Sequence, residues 1–328
     1  MSKTILVTGA AGFIGSNVSE TLAKRGDRVI GLDSFDAYYD PALKRRNLRE
    51  LTANLPAGAD FELVEGDVRD RELVMQLFAR ERFAAVVHLA ALAGVRASIG
   101  QSVRYFDVNV GGTIQLLDAA VAHGSPSFVF GSTSSVYGNS THIPFDEQQP
   151  CDRPLAPYPA SKRSCELLGF SHHNLHGLHF TALRFFTVYG PRNRPDMMAH
   201  MLLDSIVYGR PVQLFEGGLR RDWTYVGDIV EGIVAAVDRP LGYEIINLGR
   251  GEPVLLDDFV HLVEALTGRK AVVSTAPRPA ADVEQTFGAI DKARHLLGYS
   301  PQTSVREGMA AVWRWYQSAY DVASAGRT

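Results

Sequence analysis

Apolar residues run unbroken through Ile5-Leu6-Val7, stop at a turn rich in glycine, and then recur at helical spacing through Val18, Leu22 and Ala23. A short continuous apolar run predicts a strand buried on both faces, and the spacing after it predicts a helix. The same alternation repeats along the first half of the chain. Strands are expected at 28–33, 61–68, 84–89, 127–131 and 179–185. Between them fall a loop with a short basic helix within 37–56, a helix around Val74, Leu77 and Phe78, a long helix over about 98–123 and another over about 157–176. In the long helix, Val103, Phe106, Val110, Ile114, Leu117 and Val121 share one face and are expected to meet the core. Strand and helix in alternation, with short connections, imply an α/β fold built on a doubly wound parallel sheet that the strand at 179–185 completes.

Beyond Thr187 the pattern loosens. Helices are expected near 198–208, 226–237 and 257–266, short strands at 211–215 and 245–248, and a last helix carrying Val305, Met309, Val312, Trp313 and Tyr316, with the two aromatics in its core face. These elements read as a smaller mixed α/β lobe. Between Val136 and Pro157 turn residues dominate, which predicts a loop able to line or cover a site.

With 328 residues, 46% of them hydrophobic, the chain can bury a full core in two lobes. A net charge of -3 without a long basic tract argues against nucleic acid or a membrane surface as partner. Lys44-Arg45-Arg46 is too short to change this and reads as a solvated helix face. Two cysteines, Cys151 and Cys165, cannot build a disulfide framework or a zinc site, which suits a reducing cytoplasm. The first strand begins almost at the N-terminus, leaving no leader pattern, and no apolar run is long enough to span a bilayer. His172 and His176 lie one turn apart, but with no carboxylate at ligand spacing beside them, no metal is expected.

The candidate chemistry begins at the first turn. Gly9, Gly12 and Gly15, with Phe13 and Ile14 opening the helix, let backbone N–H groups and a helix dipole approach a pyrophosphate. Asp33 closes the second strand, where a carboxylate accepts both ribose hydroxyls of an adenosine and repels a 2′-phosphate. No arginine follows in Ser34-Phe35, so NAD is favoured over NADP. Asp67, followed by Val68, stands where an adenine amino group could be read, and Leu89-Ala90-Ala91 provides small residues over which a cofactor can lie. Tyr158 and Lys162 are one helical turn apart and can face one bound molecule. A neighbouring ammonium favours the phenolate, so this pair can move a proton while a dinucleotide moves a hydride. Pro159 disfavours a helical Tyr158, which places the tyrosine at the start of its helix.

These residues, with the Ser132-Thr133-Ser134-Ser135 run, resemble the extended short-chain dehydrogenase/reductase superfamily, a Rossmann-type fold, and its nucleotide-sugar epimerases in particular. The segments Arg184 to Pro191, Arg194 to Met197 and Arg220 to Val226 look most like the UDP-glucuronate 4-epimerases, and Tyr38-Tyr39-Asp40 and Ala93-Gly94-Val95-Arg96 agree with that branch. The resemblance implies an NAD-binding domain at 1–186 and a lobe at 187–328 that mainly binds a UDP-sugar, with some segments returning to the first. It also implies a homodimer paired through the helices at about 98–123 and 157–176.

It further implies reversible oxidation at carbon 4 of a UDP-sugar, with Tyr158 as base, Lys162 on the nicotinamide ribose and Thr133 on the oxygen at carbon 4. Related dehydratases and decarboxylases carry a carboxylate where this chain has Ser135, which favours plain epimerisation. Thr133, Ser134, Ser135 and Thr187 could hold a sugar carboxylate so that a β-keto acid intermediate keeps its carbon dioxide, and Arg194 is a candidate for the same task or for gating. Thr187 stands where UDP-galactose epimerases typically carry asparagine, so the acid sugar is preferred over UDP-glucose or UDP-N-acetylglucosamine. Arg221 and Arg278 are the expected diphosphate contacts, although Pro279 and Ala281 depart from the pattern around the latter. Val212-Gln213-Leu214-Phe215 is the strand expected to read uracil. A dinucleotide-binding sensor without catalysis is the reading from another class.

Overall fold

The computed structural model describes residues 2–124, 126–279, 283–320 and 322. In chain order, β1 (Thr4–Thr8), α1 (Phe13–Lys24), β2 (Arg28–Asp33), α2 (Pro41–Asn54), β3 (Phe61–Glu65), α3 (Arg71–Arg80) and β4 (Ala85–His88) form the first half of a parallel sheet. After them α4 (Ser102–Phe106) runs through a π turn at Asp107–Gly111 into α5 (Gly112–Ala122), followed by β5 (Ser127–Thr133), α6 (Pro157–His176) and β6 (Phe180–Phe185). Read from its far edge the strand order is β3-β2-β1-β4-β5-β6, so the winding reverses between β1 and β4. Ligands of open parallel sheets bind in the crevice outside the strand ends at such a reversal.

Both faces of this sheet are covered. Ile5 and Val7 of β1 belong to one core with Val18 and Leu22, whereas Leu6 belongs to the other with Leu117 and Phe128. This double burial is why the strands read as continuous apolar runs.

The second half comprises β7 (Thr187–Tyr189), α7 (Met198–Tyr208), β8 (Val212–Phe215), β9 (Arg220–Tyr225), α8 (Val226–Asp238), β10 (Tyr243–Leu248), β11 (Pro253–Leu255), α9 (Leu256–Thr267), β12 (Val273–Ala276), β13 (Gln285–Thr286), α10 (Asp291–Leu297) and α11 (Val305–Ala319). β10 pairs in parallel with β6, from Tyr243 opposite Phe180 to Leu248 opposite Phe185. The main sheet therefore has seven strands and does not end at β6. A strand's own apolar pattern does not encode which neighbour it takes. On β10's side of the sheet, Ile229, Ile233, Ala293 and Leu297 of α8 and α10 join the core containing Ile5. The remaining elements enclose a third core in which Trp223 stacks on Phe259 at 3.8 Å, with Met309, Val312 and Tyr316 of α11.

Two local expectations change. The long helix starts at Ser102, and its buried side carries Tyr105, Asn109, Thr113, Leu116 and Leu117, while Val103 is 86% exposed. Of the stripe read from periodicity, Leu117 lies in the core and Val110 packs against it, whereas Val103 and Phe106 face outward, and the core side is interrupted by asparagine, glycine and threonine. The loop at 136–157 packs on itself through Val136, Tyr137, Phe145 and Cys151 against Phe186, and Tyr137 donates to Asn247 at 2.7 Å.

Candidate active site

A cavity of about 390 Å³ opens at the β1/β4 reversal. Its wall brings together Gly9, Gly12, Phe13, Ile14, Gly15, Asp33, Asp67, Val68, Leu89, Ala90 and Ala91 with Thr133, Ser135, Tyr158, Lys162, Thr187 and Arg194. Residues from seven separate stretches of the chain thus meet. The loop at 136–157 supplies none of the wall, so the expectation that it lines the site gives way to its own packing.

The glycine turn is held by close approach. Gly9 adopts φ +70° with an ideal Cβ position 2.8 Å from Ala90 N, and a Cβ on Gly15 would lie 2.0 Å from Gly9 O. α1 starts after Gly12 without a side-chain cap, leaving first-turn N–H groups and the positive dipole end beside the cavity. This donor set suits a pyrophosphate. The Asp33 carboxylate accepts from Ala11 N–H at 3.0 Å and Phe35 N–H at 2.8 Å, and its remaining lone pairs can receive ribose hydroxyls. The residues present therefore fit NAD. Asp67 is engaged with Arg69, whose side-chain hydrogen bonds hold its carboxyl below the usual range. Lys44 does not lie on a solvated face: it is buried, lines the cavity and sits 3.6 Å from Asp33.

At the other end, Tyr158 is the second residue of α6, and its N–H, which no helical carbonyl can serve, donates to Ser98 Oγ at 3.1 Å. Burial pushes its phenol above the ordinary value, while a hydrogen bond with Thr133 and the charge of Arg194 act in the opposite direction. One turn on, Lys162 donates to Gly131 O at 2.7 Å and lies over the Phe130 ring. Burial pulls its ammonium down to about 8, against the pull of Cys165 and Glu166.

Buried polar chains fix this wall from behind. Thr113 donates to Asn109 O at 2.5 Å, so its oxygen accepts from His88 Nε2–H at 3.0 Å; Thr8, which accepts Ala90 N–H, then donates to Nδ1 at 2.6 Å. Only the neutral Nε2–H tautomer satisfies this order, and burial followed by the Lys162 charge holds the His88 imidazole down to about 3. The Asn109 carboxamide, turned inward by the π turn, grips Leu92 N and O and donates to Ser161 Oγ at 2.9 Å, which in turn donates to Tyr158 O at 2.7 Å. Beneath Thr133, Ser132 donates to Glu166 at 2.6 Å, and Arg184 holds Glu166 through two bonds of 2.9 and 2.8 Å. Burial alone would raise the Glu166 carboxyl, but Arg184 keeps it below the ordinary value.

Arg194 reaches the cavity while forked onto Asp196 at 2.9 and 3.1 Å, and Tyr38 donates to the same carboxylate at 3.1 Å. The loops after β2 and β7 thereby meet across the cavity. Ser134, Val212 to Phe215, Arg221 and Arg278 are not part of its wall. Val212 and Leu214 point into the third core, Gln213 is exposed, and Phe215 lies 4.7 Å from the Arg96 guanidinium. Arg221 donates to the carbonyls of Arg220 and Glu284, and Arg278 pairs with Glu284 at 3.5 Å. Among the described residues no group of three or more metal-ligating side chains is assembled. Asp118 does lie 3.4 Å from His172, a contact between helices that spacing along the chain does not reveal.

Lys44, His88, Asn109 and Glu166 are residues in or behind the wall whose roles patterns along the chain do not reveal. A lysine in a basic run or a histidine in an apolar strand carries no local signal of its partner.

Comparison with known proteins agrees with this geometry. The UDP-glucuronate 4-epimerase of Thermodesulfobacterium geofontis (strain OPF15) is 40% identical over 94% of this chain and 95% of its own length. UDP-glucuronate 4-epimerase 4 of Arabidopsis thaliana is also 40% identical, over 97% of this chain and 76% of the relative. The crystal structure of UDP-glucuronic acid 4-epimerase from Bacillus cereus, in complex with UDP-glucuronic acid and NAD, superposes with a TM-score of 0.88 at 34% identity, covering 97% of this chain and 100% of the other. Residues 5–249 match the NAD dependent epimerase/dehydratase family, and with a cavity of this make-up at the sheet reversal the chain belongs to that family.

Proposed function

We propose that this enzyme is an NAD-dependent UDP-glucuronate 4-epimerase, interconverting UDP-glucuronate and UDP-galacturonate. The observation that carries the reading is the wall around Tyr158, where the hydroxyls of Thr133, Ser135 and Thr187 and the guanidinium of Arg194 converge and Ser135 stands in place of a carboxylate. Hydroxyl donors and one guanidinium suit an anionic sugar ring, and a site without an added carboxylate lacks a base for elimination.

NAD, when bound, accepts a hydride from carbon 4 and returns it, so no external oxidant is consumed. Tyr158 takes the proton of the carbon 4 hydroxyl, Thr133 bonds that oxygen, and Lys162 holds the nicotinamide ribose and supplies the positive charge that favours the phenolate. The α1 N-terminus, with Phe13 and Ile14, holds the pyrophosphate, Asp33 the adenosine ribose, Asp67 and Val68 the adenine, and Leu89 to Ala91 the cofactor's underside. Ser134 joins the carboxylate donors. Arg221 and Arg278 contact the diphosphate and the backbone at 212–215 reads uracil, with Arg96 on Phe215 linking that strand to the cavity loop. The cofactor domain spans 1–186, with β10 added from the substrate lobe.

Two copies pair through the helices at about 98–123 and 157–176, whose surface carries Val103, Phe106, Leu167 and Phe170, between 39% and 86% exposed. A monomer by light scattering would defeat that pairing. Two buried unpaired cysteines are consistent with a cytoplasmic setting, and among the described residues no helix is long and apolar enough to cross a membrane.

The test is to incubate the purified protein, without added cofactor, separately with UDP-glucuronate and UDP-glucose and to resolve products by NMR. UDP-galacturonate with little pentose supports the reading. Turnover of UDP-glucose alone overturns it.

A further inference from the structure

Beside Asp33 lies a cation that the proposed reaction does not use. Lys44, in the first turn of α2, reaches the cavity wall with its Nζ 3.6 Å from Asp33 Oδ1 and 5.1 Å from the centre of the Tyr39 ring. Its side chain is 10% exposed, against 52% for Arg45, which covers the Phe35 ring and pairs with Glu65. Arg46 points the other way and bonds Ala319 O and Tyr320 OH beside α11. Of the three consecutive basic residues, Lys44 is the one committed to the cofactor end of the cavity.

The charges there are balanced as a pair. Asp33 is 5% exposed, already accepts two backbone N–H groups, and has Lys44 as its nearby cation. While the carboxylate is present, a phosphate arriving at this point meets a like charge in a poorly solvated site, which disfavours it strongly. If residue 33 were neutral, a buried ammonium would lose its counter-charge, a costly state that a phosphate relieves through charge-assisted hydrogen bonds.

We propose that Lys44 is a latent phosphate ligand, a buried ammonium that Asp33 holds paired and that binds a 2′-phosphate once the carboxylate is removed. Exclusion of NADP is then the work of one carboxylate, and a cation suited to NADP is already in place. The inference rests on Asp33 being the ribose acceptor.

The test is a competition on the full-length protein. Each variant is equilibrated with equal concentrations of NAD and NADP, freed of unbound dinucleotide and denatured, and the released cofactors are counted by mass spectrometry. Wild type and Lys44→Met should release NAD. Asp33→Ser should move the NADP-to-NAD ratio upward by roughly tenfold to a hundredfold. Asp33→Ser with Lys44→Met should lose that shift, and Asp33→Ser with Arg45→Met should keep it. If Asp33→Ser holds no cofactor, Asp33→Asn, which keeps an acceptor for the backbone, is read in the same way. An unchanged ratio in the Asp33 variants would mean that Asp33 is not the ribose acceptor. A shift that survives removal of Lys44, or vanishes with Arg45, would overturn the role of Lys44 while leaving Asp33 in place.

Discussion

Replacing Lys162 with methionine should make the cofactor-free protein more stable at neutral pH. The ammonium is held at about 8 instead of 10.5 because folding strips it of water. Each tenfold change in proton affinity is worth about 1.4 kcal/mol, so the charged lysine costs the native state about 3 kcal/mol. Loss of the 2.7 Å bond to Gly131 O and of the contact over Phe130 offsets about 1–2 kcal/mol, leaving a net gain of about 1–2 kcal/mol. The pH dependence gives the sign. Below about 8 both native and unfolded lysine are protonated and the cost is fully present; between about 8 and 10.5 the unfolded chain holds the extra proton, so wild-type stability rises with pH. The assay is urea unfolding of cofactor-free wild type and Lys162→Met at several pH values from 7 to 10. The gap should favour the variant at pH 7 and close toward pH 10, and added NAD should restore the wild type by mass action more than the variant. A variant less stable at pH 7, or a gap that ignores pH, would refute the reasoning.

Tyr158→Phe should lower kcat by about 10²–10⁴-fold while the purified protein keeps its NAD content; unaltered turnover would remove Tyr158 as the base. Arg184→Met removes the two-bond partner of the buried Glu166 carboxylate and leaves it only Arg163 and Ser132, so it should cost up to about 3–5 kcal/mol in urea unfolding, with Glu166→Gln in the same chain returning part of the loss. His88 binds its proton at about 3 when folded and near 6.5 when unfolded, so the unfolded state takes up the extra proton and stability should fall by up to about 4–5 kcal/mol as pH drops through that window. His88→Gln should be weaker at pH 7 yet show a shallower acid decline, and parallel curves would contradict the neutral tautomer.

What could be read along the chain is what is local. The Ile5 to Val7 strand, the glycine turn, Asp33 at a strand end and the Tyr158–Lys162 pair each carry their geometry within one element, and the bounds of α6 match the expected 157–176. Long-range pairing was hidden. Asn109 is a polar residue on the core stripe, tolerable only because Leu92 and Ser161, 17 and 52 residues away, satisfy it. Glu166 and Arg184 look like ordinary surface charges until α6 and β6 bring them together. Lys44 shares its sequence signature with Arg45, and only the angle of α2 separates a cavity ammonium from an exposed guanidinium. Val103 and Phe106 have the spacing of a core face because an apolar stripe reads the same whether covered by the chain's own sheet or left exposed.

The seventh strand also sets a schedule for synthesis. β6 takes its second neighbour from residues 243–248, which leave the ribosome 63 residues after Phe185. At roughly 5–20 residues per second, the edge of β6 is without its neighbour for roughly 3–13 s on every nascent chain. All six of its residues, Phe180 to Phe185, are buried in the finished protein, so during that interval an apolar strand offers open hydrogen-bonding groups to any other nascent copy. Slowed translation between Thr187 and Tyr243 lengthens this exposure without altering a single residue, so yield of folded protein is tied to elongation rate in this stretch.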